Sequence, residues 1–236
     1  MKIVSTKKFM VFEYVNEDEK QKEKIYNDIC KAIDISYDTA RDISREERNN
    51  MEDGHRYGNL TYGEIPYDSM KTIFDVIKNE FLINYNQTNT IFNLYDLGSG
   101  SGGSTLAAAL QLSFKKVIGI EILSGLYNMS KKIKTEWQNS KYNNNTSLDF
   151  INGSILSEWD WCDFDNPCII FANSTCFNDE MFDMIKEQGK KMKQGSYIIT
   201  LSIPINIKKY RKIEVLKELR LEMSWGESDV FIHLIN

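Results

Sequence analysis

The sequence predicts an α/β fold with a mostly parallel, Rossmann-like sheet that ends in an antiparallel hairpin and follows a helical segment. Three observations support this prediction. A buried strand, a glycine-rich turn and a helix follow one another in residues 91–112. Short apolar strands then alternate with helical segments through the middle of the chain. Two strand-like runs, at 213–225 and 230–235, are joined by residues 226–229, where Gly226 suits a hairpin turn.

The chain divides into an N-terminal strand and helical cap, residues 1–58, and a larger domain, residues 59–236. Residues 8–15 are predicted to form a short strand or a packed arm. Residues 17–48 are charged and helix-prone, and apolar residues at helical spacing, from Ile25 to Ile33, indicate one or two amphipathic helices. Pro66 suits the first position of a further helix, since its missing N–H would be unpaired there in any case.

The glycine-rich turn follows a predicted strand at 91–97, near whose end Asp96 lies, and precedes a helix that begins at about 106–112. Glycine tolerates positive φ, and its missing Cβ allows a ligand to approach the backbone closely. A ligand there would meet unpaired amides at the positive end of the helix. The turn therefore predicts a nucleotide-binding loop formed by Gly98, Ser99, Gly100, Gly102 and Gly103.

An acidic residue completes this unit. A second strand, at 116–120, brings Glu121 to its tip about 20 residues past the glycines, where a carboxylate can accept both hydroxyls of a ribose. An adenine nucleoside is the expected ligand. The glycine spacing fits both S-adenosylmethionine (SAM) enzymes and dinucleotide oxidoreductases. The C-terminal hairpin favours the sheet of class I SAM-dependent methyltransferases, because a dehydrogenase sheet would end in further helix-linked parallel strands.

The remaining elements complete a seven-stranded sheet. A helix at 126–137 is followed by a strand at 148–151, a buried strand at 168–172 that stops at Asn173, a helix at 178–192 and a strand at 197–201.

Composition excludes several other classes of function. The net charge is −5 with both signs interspersed, so no nucleic-acid partner is indicated beyond a small basic cluster at 208–212. The four cysteines show no C-x-x-C spacing and there are two histidines, so no metal site is expected. No apolar run approaches the roughly 20 residues of a membrane span, so no membrane partner is expected. Reduced thiols indicate a nuclear or cytoplasmic location.

Several separated motifs, taken together, resemble one family. They are Tyr62-Gly63-Glu64, Asp96-Leu97-Gly98-Ser99-Gly100-x-Gly102, Gly119-Ile120-Glu121, Gly153-Ser154-Ile155 and Asn173-Ser174-Thr175-Cys176-Phe177. In this order they resemble the disruptor-of-telomeric-silencing histone lysine methyltransferases, which have a seven-strand sheet and no SET domain. The resemblance runs from about residue 59 to the C-terminus and makes 59–236 the methyltransferase domain. It implies SAM-dependent methylation of a protein lysine, with a histone in chromatin as the first candidate.

The resemblance also implies roles for single residues. A loop of Tyr62, Gly63, Glu64 and Ile65 would fold over the methionine part of SAM. The segment from Asp96 to Gly103 would hold the amino acid and ribose, with Glu121 on the ribose hydroxyls and Ser154 and Ile155 around the adenine. Asn173 would contact both cofactor and acceptor, and Asn173, Phe177 and Trp225 would line the channel for the lysine.

The chain departs from the family at the adenine and acceptor positions. Ser154 and Ile155 stand where the family usually has Asp and Phe, and Thr175 replaces an aromatic residue of the acceptor motif. Three alternatives therefore remain: a class I methyltransferase acting on RNA or a small molecule, a SAM-binding pseudoenzyme or interaction module, and a dinucleotide oxidoreductase.

Overall fold

The computed structural model describes residues 17–34, 36–51, 60–81, 91–140, 145–156, 162–205 and 212–236. The predicted arm at 8–15 and most of the basic cluster at 208–212 lie outside these ranges. The N-terminal segment contains two amphipathic helices, α1 (Glu17–Ala32) and α2 (Tyr37–Asn49). Helix α2 begins after Ser36, whose hydroxyl accepts a hydrogen bond from the Thr39 amide at 3.1 Å and so caps the helix.

Seven strands form one sheet, as predicted. They are β1 (Asn93–Leu97), β2 (Lys116–Glu121), β3 (Ser147–Asn152), β4 (Cys168–Ala172), β5 (Tyr197–Leu201), β6 (Ile213–Met223) and β7 (Gly226–Ile235). Their order is β3-β2-β1-β4-β5-β7-β6, and β7 alone runs antiparallel to its two neighbours, β5 and β6. The carboxyl ends of β1 to β5 therefore share one edge of the sheet, which is where ligands bind in open α/β folds.

Four further helices flank the sheet: α3 (Tyr67–Val76), α4 (Gly103–Gln111), α5 (Ser124–Asn139) and α6 (Asp179–Lys191). Helix α3 continues into a π-helical segment, Ile77–Phe81, and a 3₁₀ turn, Ser174–Cys176, follows β4. Pro66 is the residue before α3 and not its first helical residue, with extended backbone angles of −59° and 153°. The helix boundaries otherwise differ from the predicted ones by a few residues at most.

The C-terminal hairpin turns earlier than the sequence predicts. Met223 pairs with Gly226, so the two turn residues are Ser224 and Trp225, and the residues expected to form the turn belong to β7. Gly226 opens β7 with φ of 111°, a conformation that other residues avoid. The shift places Trp225 at the tip of the hairpin.

Both faces of the sheet are covered. Side chains alternate along a strand, so Leu94 of β1 faces the layer of α1, α3, α4 and α5, whereas Tyr95 faces the layer of α6. Strands β1, β4 and β5 have five residues each, and all of these residues are buried, as expected for parallel strands between two helical layers. Helix α1 contributes Ile29 to the larger core. The N-terminal helices are therefore packed into the same body as the sheet.

Candidate active site

The glycine turn after β1 lies at the carboxyl edge of the sheet. Gly98, Gly100 and Gly102 have φ values of 80°, 57° and 93°, which L-residues rarely adopt. The amides of Gly98 and Ser99 both donate to the carbonyl of Ile120, at 2.9 and 3.0 Å. The turn is thus tied to the end of β2, and this brings the glycines beside Glu121.

Glu121 is buried between the glycine turn and the start of α5. Its Oε2 accepts a hydrogen bond from the Gly100 amide and its Oε1 from the Leu123 amide, each at 2.8 Å. Burial raises the pKa of this carboxyl to about 7, against the effect of the two amides. A carboxylate oxygen has two lone pairs, so each oxygen can accept a further hydrogen bond from the adjacent cavity.

One cavity of about 430 Å³ joins the segments named by the motifs. Among the predicted site residues it is lined by Tyr62, Gly63, Glu64, Ile65, Gly98, Ser99, Gly100, Gly103, Glu121, Ser154, Ile155, Asn173, Phe177 and Trp225. Residues far apart in the sequence thus share a single cleft, large enough for a small ligand.

Two predicted site residues, Asp96 and Gly102, lie behind the cavity wall. Asp96 is fully buried and accepts hydrogen bonds from the hydroxyls of Ser104 and Thr105, at 2.9 and 2.6 Å, at the start of α4. Burial raises the pKa of Asp96 to about 6. A Cβ atom on Gly102 would lie 2.9 Å from the Phe150 ring and 3.0 Å from Ser130 Cβ. In the structure, both residues support the glycine turn from within the protein.

The Tyr62-Gly63-Glu64 loop forms another part of the cavity wall. The Tyr62 hydroxyl donates to the Glu64 carboxylate and shares a hydrogen bond with Ser101 Oγ at 2.9 Å. Its ring covers Gly100, where a Cβ atom would lie 2.8 Å from the tyrosine. Burial raises the pKa of both Tyr62 and Glu64. The loop and the glycine turn are therefore in direct contact.

The same loop is held by the hairpin tip and by the end of β4. The Ser224 amide donates to the Glu64 carbonyl at 3.0 Å, and the Glu64 amide donates to Ser224 Oγ at 2.9 Å. Asn173 Nδ2 donates to the Gly63 carbonyl at 3.2 Å. Trp225 packs its indole on Gly63. Three chain segments, one from the hairpin, one from β4 and the loop itself, are thus joined in one hydrogen-bonded unit.

The three predicted acceptor residues lie on this unit. Asn173 follows β4 directly, and the Phe177 ring, after the 3₁₀ turn, lies 3.8 Å from the position of a Cβ on Gly98. Trp225 is 38% exposed, so its ring stands at the protein surface. The arrangement gives the cavity an aromatic side next to the glycine turn.

Several lining residues were not identified from the sequence. They are Tyr26, Leu60, Thr61, Ser104, Ile122, Leu123, Leu126 and Met181, whereas the lining residues Ser101, Ile120, Gly153, Leu156, Thr175 and Cys176 belong to segments that the sequence had already singled out. Most of these adjoin a predicted motif in the chain, so proximity in sequence could have suggested them. Tyr26 is different. It lies on α1, and only the packing of α1 against the sheet domain brings it to the cavity.

Within the described ranges, no group of three or more histidine, cysteine or acidic side chains is arranged to hold a metal ion. None of the helices described is both long and apolar enough to cross a membrane.

Solved structures with this fold include several methyltransferases. A protein of Pyrococcus horikoshii assigned as an RNA methyltransferase has a TM-score of 0.53 and 13% identity, covering 92% of this chain and 98% of that one. Magnesium protoporphyrin IX methyltransferase of Synechocystis PCC 6803 with bound SAM has a TM-score of 0.51 and 12% identity, covering 84% and 97%. The tRNA methyltransferase TrmK of B. subtilis has a TM-score of 0.51 and 15% identity, covering 71% and 65%. At such identities the likeness shows the fold alone.

A search of curated proteins finds no significant match. A sequence model of the family described as "Histone methylation protein DOT1" matches residues 40–227, which is more than half of the chain. The cavity fits the cofactor of this family. Glu121 can accept from ribose hydroxyls, the glycine turn lines the cavity with Gly98, Gly100 and Gly103, and Ser154 and Ile155 lie on the same cavity. The chain belongs to the DOT1 family, has the class I methyltransferase fold and uses S-adenosylmethionine to transfer a methyl group.

Proposed function

We propose that this methyltransferase acts on a lysine side chain of a protein, with a histone as the first candidate. The observation that carries the proposal is the position of Asn173, Phe177 and Trp225, which line the same cavity as Glu121 and the glycine turn. The description of the family points to the same class of acceptor.

Bound SAM supplies an electrophilic methyl group, and the acceptor must supply an uncharged nitrogen. Phe177 and Trp225 offer an apolar passage, where loss of water penalises an ammonium ion and lowers the pKa of an entering amine. Asn173 uses its amide nitrogen on Gly63, while among the described residues nothing donates to its side-chain oxygen. That oxygen can accept from the amine and orient it, and alignment alone contributes several kcal/mol to such a reaction, about 7–11 at best.

A second candidate acceptor is RNA or a small polar molecule. Thr175, exposed at the cavity, accepts a hydrogen bond from Ser202 Oγ at 3.1 Å, and Ser202 lies 3.1 Å from Ser228 Oγ. Of the three, Thr175 lines the cavity, and it stands at the motif position where the family usually has an aromatic residue. Polar groups there suit an acceptor richer in hydrogen-bonding groups than a lysine side chain.

Transfer from radiolabelled SAM tests the proposal. Core histones, nucleosomes, bulk cellular protein and total RNA are offered in parallel, and labelled products are digested with protease or ribonuclease. Label that protease releases as methyl-lysine supports the proposal. Label in RNA would overturn it in favour of the second candidate. Binding of S-adenosylhomocysteine (SAH) with no transfer to any of these acceptors would also overturn it, in favour of a small-molecule acceptor or a pseudoenzyme.

Two variants locate the acceptor passage. Trp225→Ala should abolish most transfer while SAH binding remains measurable, because the indole belongs to the proposed acceptor passage, whereas Glu121 and the glycine turn are unchanged in this variant. Glu227→Ala, an exposed position two residues further along the same hairpin, is the control and should retain full transfer. Equal activity of the two variants would contradict the assignment of Trp225.

A further inference from the structure

Helix α5 receives its N-terminal cap from another helix. The residue before α5 is Leu123, which has no side-chain acceptor, so the first amides of α5 lack a local partner. Glu47 of α2 fills this role. Its Oε1 accepts from the Ser124 amide at 2.6 Å and its Oε2 from the Gly125 amide at 2.8 Å. A negative charge at a helix N-terminus also interacts favourably with the helix dipole.

The capped segment is the one that shapes the ribose side of the cofactor cavity. The Leu123 amide donates to Glu121 Oε1, so three consecutive amides, at 123, 124 and 125, are shared between two carboxylates. Leu123 and Leu126 line the cavity themselves. Glu47 does not line it. An effect of Glu47 on the cofactor is therefore indirect, and its side chain contacts the cavity wall through this segment.

Close packing enforces the contact. A Cβ atom on Gly125 would lie 2.5 Å from Ile43 Cγ2 and 2.9 Å from Glu47 Oε2, so glycine permits α2 to approach this closely. Ala40 of α2 belongs to a small apolar cluster with Leu123 and Leu126. The position of α2 is thus determined by apolar packing as well as by the carboxylate.

The same helix also contacts the Tyr62-Gly63-Glu64 loop and the residues just before it. Ser44 Oγ donates to the Leu60 carbonyl and Arg48 to Thr61 Oγ1, both at 3.4 Å. The ring of Tyr37, also on α2, lies 5.9 Å from that of Tyr62. Helix α2 therefore contacts two segments that line the cavity, the one around Tyr62 and the one that follows Glu121.

From these contacts we propose that Glu47 is a positioning residue for cofactor binding, which holds residues 121–125 in the shape that presents Glu121 to the ribose. The proposal goes beyond the choice of acceptor and does not depend on it. It also assigns a function within the cofactor site to the helical cap.

Calorimetric titration with SAH tests the proposal without an acceptor. Glu47→Ala should lower SAH affinity about tenfold, the scale of losing hydrogen bonds to a charged group. The control is Glu46→Ala, which removes the same charge from an exposed neighbouring position and should leave affinity unchanged. Glu47→Gln retains the side-chain length but offers a single oxygen acceptor, so its affinity should lie between the two.

A pH series separates positioning from a general loss of stability. Glu47→Ala and Glu47→Gln lose the same negative charge, which lowers the pKa of Glu121 in both. Only Glu47→Ala also releases the Leu123 amide from its place beside Glu121, which raises that pKa, so the pH below which SAH affinity falls should be higher for Glu47→Ala than for Glu47→Gln. Asp96 titrates nearby in all variants and does not alter the comparison. Glu47→Ala with the affinity and pH profile of Glu46→Ala would overturn the proposal, even if it melted at a lower temperature.

Hydrogen exchange of the wild-type protein provides a second test that needs no variant. Coupling is reciprocal, so SAH should slow exchange of the amides at 123–125 and along α2. Slower exchange around Gly100 with none in α2 or at Ser124 and Gly125 would contradict the proposal.

Discussion

The backbone of Gly63 lies directly against the indole of Trp225: a Cβ atom at position 63 would stand 2.5 Å from Cζ3 of the ring. This contact joins the loop over the cofactor cavity to the tip of the β6–β7 hairpin. It explains why glycine is required in the loop although its φ is not positive.

Gly63→Ala should therefore destabilise the protein through overpacking, by about 1–3 kcal/mol. In a Trp225→Ala background there is room for the methyl group of the new alanine, so the same substitution should lower the free energy of unfolding much less. Urea unfolding of the four proteins measures the difference. Equal costs of Gly63→Ala in the two backgrounds would show that the indole is not what excludes the side chain.

SAH affinity should depend on pH through Glu121. Burial raises the pKa of this carboxyl to about 7, and only the carboxylate can accept from both ribose hydroxyls while holding the Gly100 and Leu123 amides. Affinity should level off about one pH unit above this pKa and fall by up to about tenfold per pH unit below it. Calorimetry between pH 6 and 8 measures this dependence.

Glu121→Gln is the matched variant for that profile. It should bind SAH at least about tenfold more weakly than wild type, since a neutral amide forms weaker hydrogen bonds than a carboxylate. Its affinity should also vary little between pH 6 and 8. A profile for Glu121→Gln as steep as that of wild type would assign the titration to another group, with Asp96 as the first candidate.

Gly102→Ala should reduce stability more than Gly195→Ala. Both glycines have positive φ, 93° and 85°, so each alanine bears a similar backbone strain of about 1–2 kcal/mol. Only at Gly102 would the new Cβ also meet Phe150 and Ser130, whereas around Gly195 the space is open. In denaturant unfolding, the free energy of unfolding should therefore be lower for Gly102→Ala than for Gly195→Ala, by about 1–3 kcal/mol. Similar losses in the two variants would show that the glycine turn does not press on Phe150.

His233 should make the protein sensitive to acid. The Ile205 amide donates to Nε2 at 3.0 Å, so Nδ1 carries the proton and donates to the Ile198 carbonyl at 2.9 Å. Burial lowers the pKa of His233 from 6.5 to about 4. Because the folded-state value is depressed, the stabilisation is present above pH 6.5 and is lost as the pH falls through about 4. This contribution of His233 to the free energy of unfolding amounts to about 3 kcal/mol.

The free energy of unfolding of wild type and His233→Gln, measured from pH 7 to pH 4, tests this expectation. Asp96 and Glu121 have raised pKa values and act in the opposite direction, but they do so in both proteins and cancel in the difference. The advantage of wild type should shrink as the pH falls. A pH-independent difference would mean that His233 does not titrate in this range.

The sheet was predictable because its signals are local. Strand length, the alternation of strand and helix and the glycine turn all follow from neighbouring residues, and they were sufficient for seven strands with a terminal hairpin. The hairpin turn was misplaced, because Gly226 is a strong turn signal in sequence. In the structure, β6 and β7 continue pairing up to Met223 and Gly226, which leaves Ser224 and Trp225 as the turn.

Motif residues and spacing were enough to predict a site for an adenine nucleoside, since the chemistry of ribose and backbone recognition is carried by short segments. The terminal hairpin favoured SAM over a dinucleotide, and the resemblance of several separated motifs to one family supplied the prediction of a methyltransferase of that family. Tertiary structure decided which side chain faces which ligand. It placed Asp96 and Gly102 behind the cavity and brought Tyr26 to its wall. It also set Glu47 on the start of α5, a contact between residues 77 and 78 positions apart in the chain. No local pattern encodes such a contact, because it depends on how apolar faces of separate helices pack together.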